Sequence, residues 1–329
     1  MDFFESKGLK LNSERQGRVF PATNKAKSVT ETLLECLKEA RIDIIYNSAL
    51  SNIVKKDGLF ELRLSGGKKI YSKKAILASG GVSYPETGST GDGLRIAKDL
   101  GHTVTPLEAA LVPLKTKEGW VRDLKGISLE NIRATFLYDG KKIVSGIGEL
   151  MFTHFGVSGP LVLDLSGRVV SLISEHKHVR LHIDLKPGLN AEKLEARLLD
   201  DFEKKGASRL LTVMEGLAPK RMAAVLIRVA NLDPAQKASQ VTQRQRGVII
   251  QMLKAFPLTI QGPLSLGQGM VTNGGVSTKE IDPRTMESKI VQGLYFAGEI
   301  IDGAAPSGGY NLQQAFSTGF LAGEEAARA

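Results

Sequence analysis

The sequence predicts an α/β fold interrupted by an insertion that is first β-rich and then helical. Three observations carry this. Two short apolar strands, in AILASGG ending at Gly81 and LYFAG ending at Gly298, run into glycines ahead of a helix. From about Leu114 the pattern changes to short alternating strands. From Asn190 the apolar spacing becomes helical, before β-type sequence returns near the C-terminus.

The elements follow in order. Ser28 and Glu31 stand at capping-box spacing, and Val29, Leu33, Leu34 and Leu37 share one face, so a helix is expected to about Ala40. IDIIY, Ile42 to Tyr46, reads as the next strand. SNIVKK and LFELRL flank Asp57-Gly58, a hairpin signal, and KKIYS and the AILASGG strand follow. ISLENIRATFLYDGKKIV holds a second hairpin at Asp139-Gly140, and HVRLHIDL alternates, which together predict a small antiparallel barrel or sandwich. Leu194, Leu198 and Phe202 share a helical face, Pro219 opens another helix, and Val241, Val248, Met252 and Leu253 mark a longer one. GMVTNGGV and GLYFAG return to strand. A last helix runs from about Gly309 to Ala327, with Gly319 and Gly323 expected to let it pack closely on its neighbours. The expected domains are residues 1–113 with 262–329, a barrel part at 114–189 and a helical part at 190–261.

Composition narrows the function classes. A chain of 329 residues, 42% hydrophobic, is long enough for two cores. The single cysteine, Cys36, excludes an internal disulfide or a CxxC dithiol, and a cytoplasmic setting is expected. No apolar run approaches the roughly 20 residues of a membrane-spanning helix, so no membrane partner is expected. The net charge of +9 favours anionic ligands. Between Asn190 and Phe256 twelve Lys and Arg face seven Asp and Glu, but dispersed along helices, which reads as a solvated face and not as a nucleic-acid surface.

The glycine-ended strands are where chemistry is expected. In open α/β sheets ligands collect beyond the carboxyl ends of the strands, where helix N-termini offer free N–H groups. Glu299 and Asp302 could accept from sugar-like hydroxyls, and the helix from Gly309 directs its positive end at an electron-rich group. Ser79, Gly80 and Gly81, with Gly91-Asp92-Gly93 opening a helix beyond them, form a second such end. Two ends in one domain suit a long ligand such as a dinucleotide. No carboxylate pair, metal cluster or nucleophile triad can be assigned from spacing. His154, between Phe152 and Phe155, either moves a proton for a small-molecule substrate or only hydrogen-bonds a barrel turn. Arg18 either meets an anion or forms a structural salt bridge.

GRVFPATNKAKSV, LASGGVSYPETGSTGDG, MFTHFGVSGPLVL, VTNGGVSTKEIDPRTMESK and GLYFAGEIIDGAAPSGGYNLQQAFSTG, in that order, resemble the BaiN/YhiN-like family of FAD-dependent oxidoreductases over nearly the whole chain. The resemblance implies a glutathione-reductase-like FAD-binding domain with a β-barrel plus helical insertion. It also implies FAD as cofactor and, by family naming, NAD(P)H as redox partner. By the same resemblance Leu50 meets the adenine through its backbone, and Ser79, Gly80 and Gly81 lie near the nucleotide portion. Glu299, with Gly298 beside it, matches the ribityl-pyrophosphate region, and Gly309, Tyr310, Asn311 and Leu312 match the segment at the flavin. Family members open with a βαβ unit carrying GxGxxG and an acidic residue about 20 residues on. None stands here, so an N-terminally truncated chain lacking that unit is expected. Three readings are open: a flavin-dependent oxidoreductase acting on a small organic substrate, an RNA-binding or tRNA-modifying flavoprotein, and an inactive truncated fragment.

Overall fold

A strand forms only where its backbone finds a neighbour, and that rule sorts the elements here. The computed structural model describes residues 1–14 and 17–328. A short helix α1 (Asp2–Ser6) precedes the hairpin β1 (Leu11–Ser13) and β2 (Val19–Pro21), and helix α2 (Ala26–Glu39) follows. Strands β3 (Leu50–Lys56), β4 (Leu59–Leu64) and β5 (Lys69–Ser72) make an antiparallel meander. Its first turn is Asp57-Gly58, both with positive φ, the conformation that matches strand twist. Strand β6 (Ala75–Leu77) leads to helix α3 (Asp92–Asp99) and strand β7 (Glu108–Ala110).

The insertion begins with β8 (Leu114–Thr116), the long hairpin β9 (Ser128–Tyr138) and β10 (Lys141–Phe152), and β11 (Gly156–Ser158). Helix α4 (Pro160–Ser174), strand β12 (Arg180–Asp184) and helices α5 (Ala191–Lys204), α6 (Leu210–Met214), α7 (Lys220–Val229) and α8 (Gln243–Lys254) come next, then strand β13 (Phe256–Pro263). The six strands close into an antiparallel barrel in the order β10-β11-β8-β13-β12-β9. Closure removes the exposed edges, and Leu114, Phe136, Leu150, Leu181 and Phe256 are fully buried. Leu194, Leu198, Phe202, Ile249 and Leu253 join the same core, so barrel and helices form one packed unit.

The chain then returns through β14 (Val271–Asn273), which pairs with β7, and β15 (Leu294–Phe296), which runs parallel to β6, and ends in helix α9 (Tyr310–Ala327). A second, separate core built on Phe60, Leu77, Leu94, Ile96, Leu294 and Phe296 serves this half. Among the described residues no helix is long and apolar enough to cross a membrane.

Several expectations are corrected. IDIIY is not a strand: no neighbouring strand pairs with it among the described residues, and Ile42, Ile44, Ile45 and Tyr46 are exposed. Apolar alternation is a signal of strand but supplies no ladder partner. Helix α2 starts two residues before Ser28, so Ser28 is inside the helix and its hydroxyl meets Thr23 instead of capping. Capping boxes form instead at α8, between Thr242 and Gln245, and at the turn of Ser265 and Gln268. Residues 256–263 complete the barrel, so the last barrel strand extends across the boundary expected at 261/262. Gly319 and Gly323 do not mark a close approach, since a Cβ on either would meet nothing within 4 Å.

Candidate functional site

Parallel pairing of β6 with β15 aligns Leu77 with Phe296, and Ala297 N–H donates to Leu77 O. The two glycine-rich strand ends are thereby side by side. Ser79, Gly80 and Gly81 leave one strand, and Gly298 and Glu299 leave the other. Glu299 Oε1 accepts the backbone N–H of Thr272 at 2.7 Å. Thr272 Oγ1 in turn accepts the N–H groups of Val82 and Ser83, at 2.9 and 3.2 Å. A Cβ on Gly81 would lie 2.3 Å from Thr272 Oγ1 and 2.9 Å from Glu299 Oε1, so only glycine fits there. Gly298 N–H is held by Thr318 Oγ1 of α9 at 2.9 Å.

Beyond β6, helix α3 begins against the strand end. A Cβ on Gly93 would stand 1.9 Å from Ser79 Oγ, so a side chain is excluded there as well. The gap between α3, β6 and the start of β3 is a cavity of about 180 Å³, lined by Leu50, Leu77, Ser79, Thr90, Asp92 and Ile96 among others. Leu50 and Ser79, far apart in sequence, meet at this cavity.

The start of α9 is the second focus. Gly309 is its N-cap with φ 96, and no side chain caps the helix. The N–H groups of the first turn, Tyr310, Asn311 and Leu312, are therefore open to a ligand, and the helix dipole favours negative charge there. Tyr310 and Leu312 are well exposed. The Asn311 side chain is committed elsewhere: its Oδ1 accepts Ala305 N–H at 2.8 Å and its Nδ2 donates to Ala305 O at 2.9 Å. Its side chain thus fixes the loop ahead of the helix, and only its backbone faces outward.

That loop borders a cleft of about 280 Å³ between α4 and the α/β half. Ala110, Leu111, Leu163 and Gly167 form its apolar side, Ala304 to Pro306 its rim, and Asp164, Arg168 and Asn273 its polar groups. Ser307 N–H donates to Asp164 Oδ1 at 2.9 Å, tying the α9 loop to the insertion. Asp164 and Arg168 stand four residues apart as the charged residues of a largely apolar helix, a spacing visible in the sequence that motif reading passed over. Thr272 was passed over likewise, because its role depends on a partner 27 residues away.

His154 lies in the exposed turn between β10 and β11, its ring edge-on to Phe155 at 4.9 Å, and lines neither cavity. Arg18 is exposed, 3.4 Å from Glu14 and 6.0 Å from the Phe20 ring. The buried histidine is His102. Its Nδ1 is 3.1 Å from Glu280 Oε2 and its Nε2 is 2.9 Å from Ser288 Oγ. The carboxylate can only accept, so Nδ1 carries the proton and Ser288 donates to Nε2. Burial pushes the imidazole below its ordinary range, and Glu280 opposes this without cancelling it. Neither cavity reaches Ser288, whose oxygen also accepts the N–H groups of Ile290 and Val291. The trio is structural.

A flavin dinucleotide needs a donor-rich helix end for its ring and a groove for its nucleotide portion. The residues fit: a Cβ built on Gly303 or Gly309 would meet nothing within 4 Å, leaving the approach to α9 open, and the Leu50–Ser79 cavity provides the groove.

Residues 1–325 match the family described as HI0933-like protein Rossmann domain. The chain is 30% identical over 328 residues to a 3-dehydro-bile acid delta(4,6)-reductase of Clostridium scindens, covering 99% of this chain and 79% of that protein. It is 27% identical over 330 residues to a ribosomal RNA dihydrouridine synthase of Escherichia coli, covering 99% and 78%. A protein of the same description from Haemophilus influenzae is 34% identical over 250 residues, covering 75% and 59%. A likeness to the solved structure of tetracycline destructase Tet(55), at 12% identity over 77% of this chain and 83% of that one, has a TM-score of 0.21 and carries no argument. With a family match over nearly its full length, the chain belongs to the HI0933-like Rossmann-domain family and is a flavin-dependent oxidoreductase.

Proposed function

We propose that this chain holds FAD from the Leu50–Ser79 cavity, past Gly81 and Glu299, to the N-terminus of α9, and that it reduces a C=C bond conjugated to a carbonyl in a small organic molecule. The observation that carries the reading is the cleft of about 280 Å³ whose rim, Ala304 to Pro306, is the loop leading into α9. A substrate bound there lies beside the helix end that would face the ring. When bound, reduced flavin would supply the hydride, NAD(P)H the electrons that recharge it, and solvent the proton that completes the saturated bond.

The chain's own residues orient and shield. Leu50 and Ser79 hold the nucleotide end. Gly81 lets the backbone pass close to Glu299, whose carboxylate fixes Thr272 and so shapes the loop at Val82 and Ser83. The first-turn N–H groups of α9 stabilise negative charge gathered in front of them. Ala110, Leu111 and Leu163 give one side of the cleft an apolar lining. The printed names of the relatives support the chemistry: a delta(4,6)-reductase of a 3-dehydro compound and a dihydrouridine synthase both describe adding two hydrogens across such a double bond.

A second reading is uridine reduction in RNA. Two relatives named as ribosomal RNA dihydrouridine synthases and the net charge of +9 favour it. One experiment separates the two. The FAD-loaded chain is reduced anaerobically with NADH or NADPH and then offered cyclohexenone or unmodified ribosomal RNA. Reoxidation by the enone alone supports the small-molecule reading, reoxidation by RNA alone supports the second, and no reoxidation by either contradicts both.

A further inference from the structure

We infer that the cleft beside α4 selects substrates carrying an anionic group on an apolar body, and that Arg168 is the residue that recognises the anion. This rests on the reading of the cleft as the substrate site. Arg168 lines the cleft and is exposed, and its guanidinium makes no ion pair or hydrogen bond among the described residues. The acidic groups around it are occupied. Asp164, one turn earlier on the same helix, gives Oδ1 to Ser307 N–H and is not within ion-pair distance of Arg168. Glu108, on β7 facing α4, accepts from the hydroxyls of Ser171 and Ser174, so it too is engaged away from Arg168. Both carboxylates keep their charge, but neither forms a salt bridge with Arg168, so its N–H groups are free to bind a ligand.

Its surroundings are built to hold a shape. Gly167, adjacent to Arg168, leaves the groove open, because a Cβ there would touch only Ala110, at 3.7 Å. Leu111 lines the floor with φ 49, a left-handed conformation that a bulky side chain adopts only when its surroundings enforce it. The enforcing bonds are visible: Val112 N–H donates to the buried Ser166 Oγ at 3.0 Å, and Met270 N–H donates to Leu111 O at 3.3 Å. Leu111, held in this conformation, and Arg168, without an ion-pair partner, line the same cleft. Guanidinium forks bind carboxylate and phosphate alike, two oxygens at a time. The Asn273 side chain, also in the wall and unpaired among the described residues, is placed to hold a neutral polar atom of the same molecule.

The test is calorimetric titration of the FAD-loaded chain with benzoate, phenyl phosphate and benzamide, which share a ring and differ in charge. The wild type is expected to bind one of the two anions at least on the order of tenfold more tightly than benzamide, and Arg168→Gln to remove that preference. Preference for benzoate assigns a carboxylate, and preference for phenyl phosphate a phosphate. Equal binding of all three probes, binding of none, or a preference that survives Arg168→Gln overturns the inference. The Arg168→Gln protein is checked for an unchanged urea midpoint and unchanged flavin retention, so that misfolding is not read as lost recognition. Retained flavin and NAD(P)H-driven reduction without anion discrimination sinks this inference alone, whereas loss of flavin or of hydride transfer sinks the functional reading on which it rests.

Discussion

Glu299 Oε1 takes the backbone N–H of Thr272 at 2.7 Å, and through that single bond the end of β15 organises the loop leaving β6. Thr272 Oγ1, so placed, accepts from Val82 and Ser83. The carboxylate thus has a structural duty besides the place along the cofactor proposed for it. Glu299→Ala is expected to lower stability by about 2 kcal/mol, the usual loss when a charge-assisted acceptor is removed from a partly buried donor. Glu299→Gln keeps an acceptor and is expected to lose less than half of that. Urea midpoints of the two variants check the order, and equal losses would contradict it.

Gly93 and Ser79 are coupled by contact. A methyl at Gly93 would be 1.9 Å from Ser79 Oγ and 3.1 Å from Ile300 Cδ1, so Gly93→Ala is expected to destabilise by roughly 1–3 kcal/mol through overpacking. In a Ser79→Gly background the same change is expected to cost at least about 1 kcal/mol less, a positive coupling measurable by a double-mutant cycle. Additive losses would show that the two do not meet.

These contacts mark how far the sequence could be read. The hairpins at Asp57-Gly58 and Asp139-Gly140 were legible because turn chemistry is local, and all four residues have the positive φ that such turns need. The two glycine-ended strands were legible as strands because short apolar runs stop at glycines, and the structure pairs them in parallel. The Ile42–Tyr46 strand failed because its periodicity says nothing of a partner. Arg168 was missed because its meaning comes from what surrounds it: Asp164 bound to Ser307, Glu108 bound to two serines, and a cleft made by segments more than 100 residues apart. Gly319 and Gly323 show the converse, since a glycine in a helix looks like a close contact in sequence and here faces open space.

Asn311 fastens the loop at the cleft rim by two bonds to Ala305. Asn311→Ala leaves that N–H and C=O without their side-chain partner, and a stability loss of about 1–2 kcal/mol is expected. Because that loop leads into the helix end proposed to face the ring, the off-rate of bound flavin is expected to rise as well. Flavin fluorescence after dilution measures this, and an unchanged off-rate would show that the loop does not bear on the cofactor.

The His102 pin makes a pH prediction. Its imidazole is held neutral by burial, with a native pKa below the ordinary 6.5. Between that ordinary value and the lowered one, the unfolded chain binds more protons than the folded chain, so stability falls as pH drops through this window. The slope from this group is at most about 1.4 kcal/mol per pH unit. Denaturant melts from pH 7 to pH 5 are expected to show it, and His102→Gln to flatten it while lowering stability at pH 7. A slope unchanged in His102→Gln would assign the acid sensitivity elsewhere.

The glycine-rich strand ends and the open N-terminus of α9 are proposed to hold a flavin. The most direct measurement is the visible absorption spectrum of the purified 329-residue chain after incubation with FAD and desalting. A retained flavin band, shifted from that of free FAD, is the predicted result. A colourless protein that is folded by circular dichroism would contradict the claim.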